Sequence, residues 1–467
     1  MLYAPSDSEV PVRRAAAALL VLSLSTSVSA RRRAVTPPPL ETVAANLIGA
    51  ALVSDEPWRE LSHLCDNIGH RLTGTPALED AIDYGIYEMA ADGLTTWKQP
   101  VPVNVWSRGT ESLTMDAPLP RALTLLGLGW SVGTDGPLSA EVVVADSFDH
   151  LVSLGDAVAG KIVLFDVPFT GYGQTVGYRV GGASAAARQG AVGVLVRSIS
   201  PESLYTPHTG AMSYAEDVPK IPAAAISLED AAWMRRLSDS GQPISVTLTM
   251  GAQDNGAAVS HNAIGEIAGR SLPDEVVVLG CHIDSWDVGQ GAQDDGGGCV
   301  AAMEAGRLLA ALPVPPRRSV RVVLYTNEEN GLAGAQTYAE EADKKHVAAI
   351  ESDTGMGTPG GFRLDIRGED DAVVAQRIAA AEALLAPVSA LLGPIGAGGL
   401  RPAFSGADIA PLVRSGAIGL GVDHDTTGYW PIHHTAADTL DKVDPDNLRR
   451  TAAAMAVAAY ALAELDY

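Results

Sequence analysis

Residues Glu275 to Gly298 read EVVVLGCHIDSWDVGQGAQDDGGG. The run Glu275–Cys281 is apolar and rich in valine, without alternation. Such a run fits a strand buried on both faces, as in a parallel sheet covered by helices. It ends in His282-Ile283-Asp284 and a Gly- and Asp-rich turn. Gly297–Leu312 then has helical spacing, with Ala301, Ala305, Leu308 and Leu312 on one face. A strand, a polar loop and a helix make one unit of a wound α/β sheet. Ligands of such sheets lie beyond the carboxyl ends of the strands.

Three further strands are predicted downstream, at Arg321–Thr326, Val347–Ser352 and Ala417–Val422. The final helix has Asp444 as N-cap and Pro445 at its first position. Its apolar stripe is Leu448, Ala452, Met455, Ala459 and Leu462. Upstream, Leu40 to Leu94 is mostly helical in pattern, broken by a loop-like stretch at residues 66–74. Between Pro118 and Met250 the texture changes to short β-type runs separated by Gly and Pro. These are Glu141–Ala145, Lys161–Val167, Val192–Val196 and Ile244–Met250. The plan is a leader at 1–30, a linker at 31–45, and a catalytic domain at 46–117 and 251–467. An inserted β-rich module occupies 118–250.

Metal-binding residue types gather at the predicted strand ends. The first strand gives His282 and Asp284, followed by Asp294-Asp295 in the next loop. The second gives Glu328-Glu329, the third Glu351-Ser352-Asp353, and the fourth leads to His433-His434. Imidazoles and carboxylates without thiolates suit catalytic zinc. A pair of metals about 3.5–4 Å apart needs a bridging carboxylate. Asp294 is read as that bridge. His282, Asp294 and Asp353 then hold one zinc, and Asp294, Glu329 and His434 the other. Glu328 remains free as general base. Asp284 is expected to fix the His282 tautomer from behind. Each motif alone has a plainer reading as a turn, a cap or a surface pair. Their order at four strand ends is what points to two zinc ions.

The chain has 467 residues, with 56 acidic against 32 basic side chains and a net charge of −24. That length allows more than one domain. The acidity excludes a basic nucleic-acid footprint. The 47% apolar content excludes a disordered acidic tail. The three cysteines, Cys65, Cys281 and Cys299, lack CxxC spacing and are read as small buried apolar residues. Arg13-Arg14 precede the uncharged run Ala15–Ala30, which closes on Val28-Ser29-Ala30. The run is shorter than the roughly 20 residues of a membrane span and reads as a secretory signal. No other run is read as long enough to span a bilayer. The mature chain is expected outside the cytoplasm, periplasmic or secreted, with no stable membrane insertion.

The stretch from His282 to Gly298 resembles the co-catalytic zinc peptidases of family M28. So do residues 326–331, Glu351-Ser352-Asp353 and residues 433–439. Arg71-Leu72-Thr73-Gly74, Pro207-His208-Thr209-Gly210 and residues 218–222 extend the resemblance upstream. It implies a wound mixed-sheet α/β catalytic domain of the phosphorylase/hydrolase-like type with an inserted protease-associated (PA) domain. It implies two zinc ions, the roles given above, Tyr429 as a substrate or oxyanion contact, and Asp408 behind the ligands. It further implies hydrolysis of small peptides, notably dipeptides with free termini, by a homodimer. The loop Asp423–Ile432 departs from the family's more aromatic version, which leaves substrate preference and dimer geometry open. Aminopeptidase specificity on the same zinc core is the near alternative. A single-zinc glutaminyl-cyclase-type acyltransferase and a non-catalytic ectodomain are the distant ones.

Overall fold

A computed structural model describes residues 37–202 and 204–466. The predicted leader at 1–30, and residues 31–36 of the predicted linker, lie outside that range. The larger sheet has eight strands. Their spatial order is Thr95–Ser107, Gln253–Ile267, Arg318–Tyr325, Leu272–His282, Lys345–Glu351, Ile418–His424, Pro359–Asp365 and Gly399–Pro402. The third to sixth in that order run parallel, and they are the four strands predicted to carry the ligands. Arg318–Tyr325 is buried at every position, as its unalternating sequence requires. Register then sets the site. Gly280 pairs with Glu351 and His282 with Tyr325. His282 and Asp353 therefore stand level, with Glu328 and Glu329 just beyond the neighbouring strand.

One face of this sheet is covered by the helices Leu40–Leu52, Gly297–Ala310 and Pro445–Glu464. The last is capped by Asp444, whose side chain accepts from the Asp446 amide. Its alanines, buried from Ala452 to Ala463, allow close packing against Gly297–Ala310. The first helix starts at Leu40, inside the stretch read as linker, because Val43 and Ala44 are already in the core. Helix Asp371–Leu392 was missed in the sequence. Within residues 371–395 a window of 18 residues reaches a mean hydropathy of 1.7, so one further segment does match a membrane span in length and composition. Alanine raises that hydropathy, and only Ala381, Leu385, Val388 and Leu392 are buried.

The second sheet also has eight strands, ordered Arg121–Leu123, Glu111–Ala117, Ser245–Met250, Leu138–Ala145, Ile162–Phe165, Gly193–Arg197, Ala223–Ile226 and Leu125–Gly127. It reaches back to Glu111, before the predicted boundary at 118. Helices Tyr172–Arg188 and Leu228–Asp239 belong to the same module. The chain crosses into it at Arg108–Thr110 and returns at Gly251. There the Gly251 amide donates to Thr110 O at 2.9 Å.

One sequence reading changes here. Cys281 and Cys299 are joined as a disulfide, while Cys65 is free and buried. The strand end and the first turn of the next helix bring their Cα atoms to 5.1 Å, a separation that permits the bond. Arg71 lies in the stretch read as a loop, yet it is fully buried. Its guanidinium donates to the main-chain oxygens of Ile283 (2.7 Å), Gln290 (2.9 Å), Gly291 (2.9 Å) and Gly69 (3.1 Å). One side chain thus staples the loop between His282 and Asp294. Replacing Arg71 by Met leaves several buried carbonyls unpaired. The zinc-free variant should lose about 3 kcal/mol or more in urea unfolding; a loss below 1 kcal/mol would refute the staple.

Candidate active site

The loop after His282 and the turn after Tyr325 converge first. His282 is 1% exposed, and its Nδ1 lies 3.0 Å from the main-chain oxygen of Asp284. The Asp284 carboxylate is 3.9 Å away from that nitrogen. Its oxygens instead accept the amides of Glu328 (3.0 Å) and Glu329 (3.3 Å). Asp284 therefore orients the imidazole through its peptide and the glutamate pair through its carboxylate. The contact to the imidazole thus runs through the Asp284 main-chain oxygen. Asn327 makes this turn possible with a left-handed backbone, φ 66°.

Asp294 sits between two imidazoles. Its Oδ1 is 3.2 Å from His282 Nε2, and its Oδ2 is 3.3 Å from His434 Nε2. Asp353 Oδ1 is 3.3 Å from His282 Nε2, and Glu329 Oε2 is 3.0 Å from His434 Nε2. All five predicted ligands are thus brought together, in the predicted halves. Asp438 accepts the amides of Gln293 (2.7 Å) and Asp294 (3.2 Å), which fixes the position of Asp294. Asp295 accepts the amides of His282 and Gly298, both at 3.2 Å, so it braces rather than ligates. Asp408 is buried beside Glu351, behind Asp353.

Electrostatics follow from burial and crowding. Burial opposes charge on His282, but Asp353 and Asp294 outweigh it and hold its pKa well above the usual range. Burial likewise opposes the charge on His434, and Glu329 and Asp294 raise its pKa. Asp294 lies well below the ordinary carboxylate range, since both histidines override its burial. Burial, then Asp353 and Glu329, pushes Glu328 well up. His433 stacks on His434 at 3.6 Å between ring centroids. Burial and the neighbouring imidazolium depress its pKa, so it stays neutral. Glu329 Oε1 is buried without a hydrogen-bond partner among the described residues. That orphaned oxygen, and the clustering of His282, Asp294 and Asp353 donor atoms within 4.8 Å, fit cations.

A cavity of about 510 Å³ opens over these groups. Tyr429 and Trp430 form part of its wall, as does Tyr172 from the inserted module. Tyr172 stacks on Trp430 at 5.1 Å. Two arginines line the cavity that the sequence reading did not single out, Arg179 and Arg363. The module also reaches His434. The Thr209 amide donates to His434 O at 3.0 Å, and Thr209 O lies 3.3 Å from His434 Nδ1. That backbone pairing supports the left-handed φ of 58° at His434. Only the Pro207–Gly210 motif had hinted at it.

Residues 262–459 match the model of peptidase family M28, and residues 136–234 that of the PA domain. Carboxypeptidase Q of Xenopus laevis is 38% identical, over 91% of this chain and 90% of its own. Carboxypeptidase Q of Homo sapiens is 37% identical over 90% of this chain and 88% of its own. The crystal structure of a peptidase M28 precursor from Shewanella amazonensis superimposes with a TM-score of 0.86 at 34% identity. It covers 92% of this chain and 97% of its own. The chain belongs to peptidase family M28. As an M28 member it is a zinc metallopeptidase with an inserted PA domain. The fold alone is shared with a zinc aminopeptidase from Bacillus subtilis, at TM-score 0.65 and 20% identity.

Zinc held by His282 and His434 would displace protons from this M28 site, because an imidazole ligates only when neutral. Both histidines have raised pKa values, so their stabilisation of the zinc-free chain is full below their unfolded pKa, about 6.5. It is lost as pH rises through the folded values. Zinc affinity should therefore rise between pH 6 and 8. Calorimetry at pH 7 should show a binding heat that depends on the buffer's ionisation enthalpy; no buffer dependence would refute the assignment.

Proposed function

We propose that this chain is a dizinc exopeptidase that cleaves small peptides, dipeptides among them, at a free carboxyl end. The supporting observation is Asp294 held between His282 and His434, with Asp353 and Glu329 on either side. His282, Asp294 and Asp353 hold one zinc, and Asp294, Glu329 and His434 the second. Bound zinc supplies Lewis acidity and lowers the pKa of water toward about 7. Glu328 takes a proton from the water that adds to the scissile carbonyl. It then delivers that proton to the amine nitrogen as the C–N bond breaks. Asp284 sustains this by gripping the Glu328 and Glu329 amides. Burial pushes the Tyr429 hydroxyl well above its ordinary pKa. It stays protonated and can donate to the substrate carbonyl.

The charges in the cavity favour the carboxyl end. Its wall holds the carboxylates Asp294, Glu328, Glu329 and Asp353, all committed to zinc or proton transfer. An aminopeptidase pocket needs a further acid for the substrate's ammonium. The other charged residues are Arg179 and Arg363. Neither has a carboxylate within 4.0 Å among the described residues. Arg179 is aimed by carbonyls of Ala211 and Thr209 and by the Tyr172 hydroxyl. A terminal carboxylate completes such a guanidinium. The leader read at 1–30 exports the chain, and we assign the homodimer implied by its relatives' motifs.

Glu328→Gln should keep both zinc ions and lose turnover by about 10²–10⁴-fold. Near-normal turnover would remove Glu328 as base. N-acetylated dipeptides should be cleaved and C-amidated ones spared, with Arg179→Met raising KM more than it lowers kcat. The reverse preference would establish amino-end recognition.

A further inference from the structure

Arg108 stands where the chain leaves the catalytic sheet for the inserted module, one residue past the strand Thr95–Ser107. Its side chain is 8% exposed. Nε donates to Asp287 Oδ2 at 2.9 Å, and a terminal nitrogen pairs with the same carboxylate. Another terminal contact goes to Gly127 O, and a third reaches Thr209 Oγ1 at 3.3 Å. Thr209 Oγ1 in turn donates to Gly127 O at 2.8 Å. One guanidinium therefore joins three separate pieces. Asp287 lies in the loop between His282 and Asp294. Gly127 ends a module strand. Thr209 holds both the main chain and the ring of His434.

We propose that Arg108 is a positioning residue that couples the seating of the inserted module to the His434 half of the metal centre. This rests on the reading of His434 as a zinc ligand. The hinge is tight: a side chain on Gly109, which has φ 67°, would meet Gly251 O at 2.5 Å. The module contacts the metal-bearing loops beside this clamp as well. Trp130 donates to Asn330 O at 3.1 Å, and Gly129 packs directly on the Trp286 ring. Trp286 itself lies 5.7 Å from the His434 ring. A displacement of the module at Arg108 is thus passed through Thr209 to the imidazole. No part of the catalytic sheet supplies the acceptor at His434 Nδ1. His282, by contrast, takes its acceptor from its own loop. The two halves of the centre therefore respond differently to the module.

The test follows zinc release from the holoenzyme to a chromogenic chelator, with zinc per chain counted beforehand. Arg108→Met should speed release of one zinc by about 10–100-fold, the usual effect of losing a ligand's supporting contact. The other zinc should leave at the wild-type rate. Thr209→Val should act in the same direction, and Thr209→Ser should restore near-wild-type release. Unchanged release in Arg108→Met overturns the proposal, even if its zinc-free form melts lower, because a purely structural role predicts that result. If Arg108→Met does not fold, unchanged release in Thr209→Val overturns it equally. One zinc per wild-type chain would instead sink the two-metal reading, and the comparison of release rates is then decided on that single ion.

Discussion

Burial of like charge at the ends of four parallel strands is the constraint from which the rest of the structure follows. Asp294, Glu328, Glu329 and Asp353 share one cavity wall, with Asp284, Asp295, Glu351 and Asp438 buried behind them. Isolated buried carboxylates are costly. Protons and imidazolium partners meet part of that cost, which is why so many of these groups are shifted upward. Glu351 rises to about 8 and Asp438 to about 7, burial being the leading cause in each. Dications meet the remainder more completely, since ligation replaces shared protons with fixed positive charge. Such a cluster of buried carboxylates favours cation binding.

Backbone amides do much of the bracing. Asp284, Asp295 and Asp438 each accept main-chain N–H groups of residues that carry or adjoin the ligands. Arg71 does the converse, donating to carbonyls of the same loop. A loop rich in glycine and aspartate has little apolar surface with which to order itself. It is held from both sides by polar groups whose own burial makes any slack expensive. The reach of those groups sets the spacing between His282 and Asp294.

How much of this could be read in advance depends on the range of the interaction involved. The four parallel strands were legible because a strand covered on both faces must be continuously apolar. The meeting of His282, Asp294, Glu329, Asp353 and His434 was legible because strand ends are where such a sheet places its site. Helix Asp371–Leu392 was not, since alanine and other apolar residues lie on most of its sides and Pro387 sits within it. The disulfide depended on how closely a strand end and a helix turn approach. Arg179 and Arg363 were invisible as site residues for the same reason. Nothing local distinguishes a surface arginine from one folded back over a remote cavity. The role of Asp284 was half legible: its position was right, but only geometry separates its peptide from its carboxylate.

The inserted module raises the question of why a complete sheet would draw one ligand's support from elsewhere. His434 follows the irregular segment after the strand Ile418–His424 and carries a left-handed backbone. Such a segment lacks a neighbouring strand to pair with. Thr209 provides a partner instead, its amide donating to the His434 main-chain oxygen and its carbonyl facing the His434 ring nitrogen. The same module contributes Tyr172 and Arg179 to the cavity wall. The support of His434 and part of the cavity wall therefore come from one module. Any shift that opened the cavity would also loosen His434. A lid built from a separate loop would not impose that link.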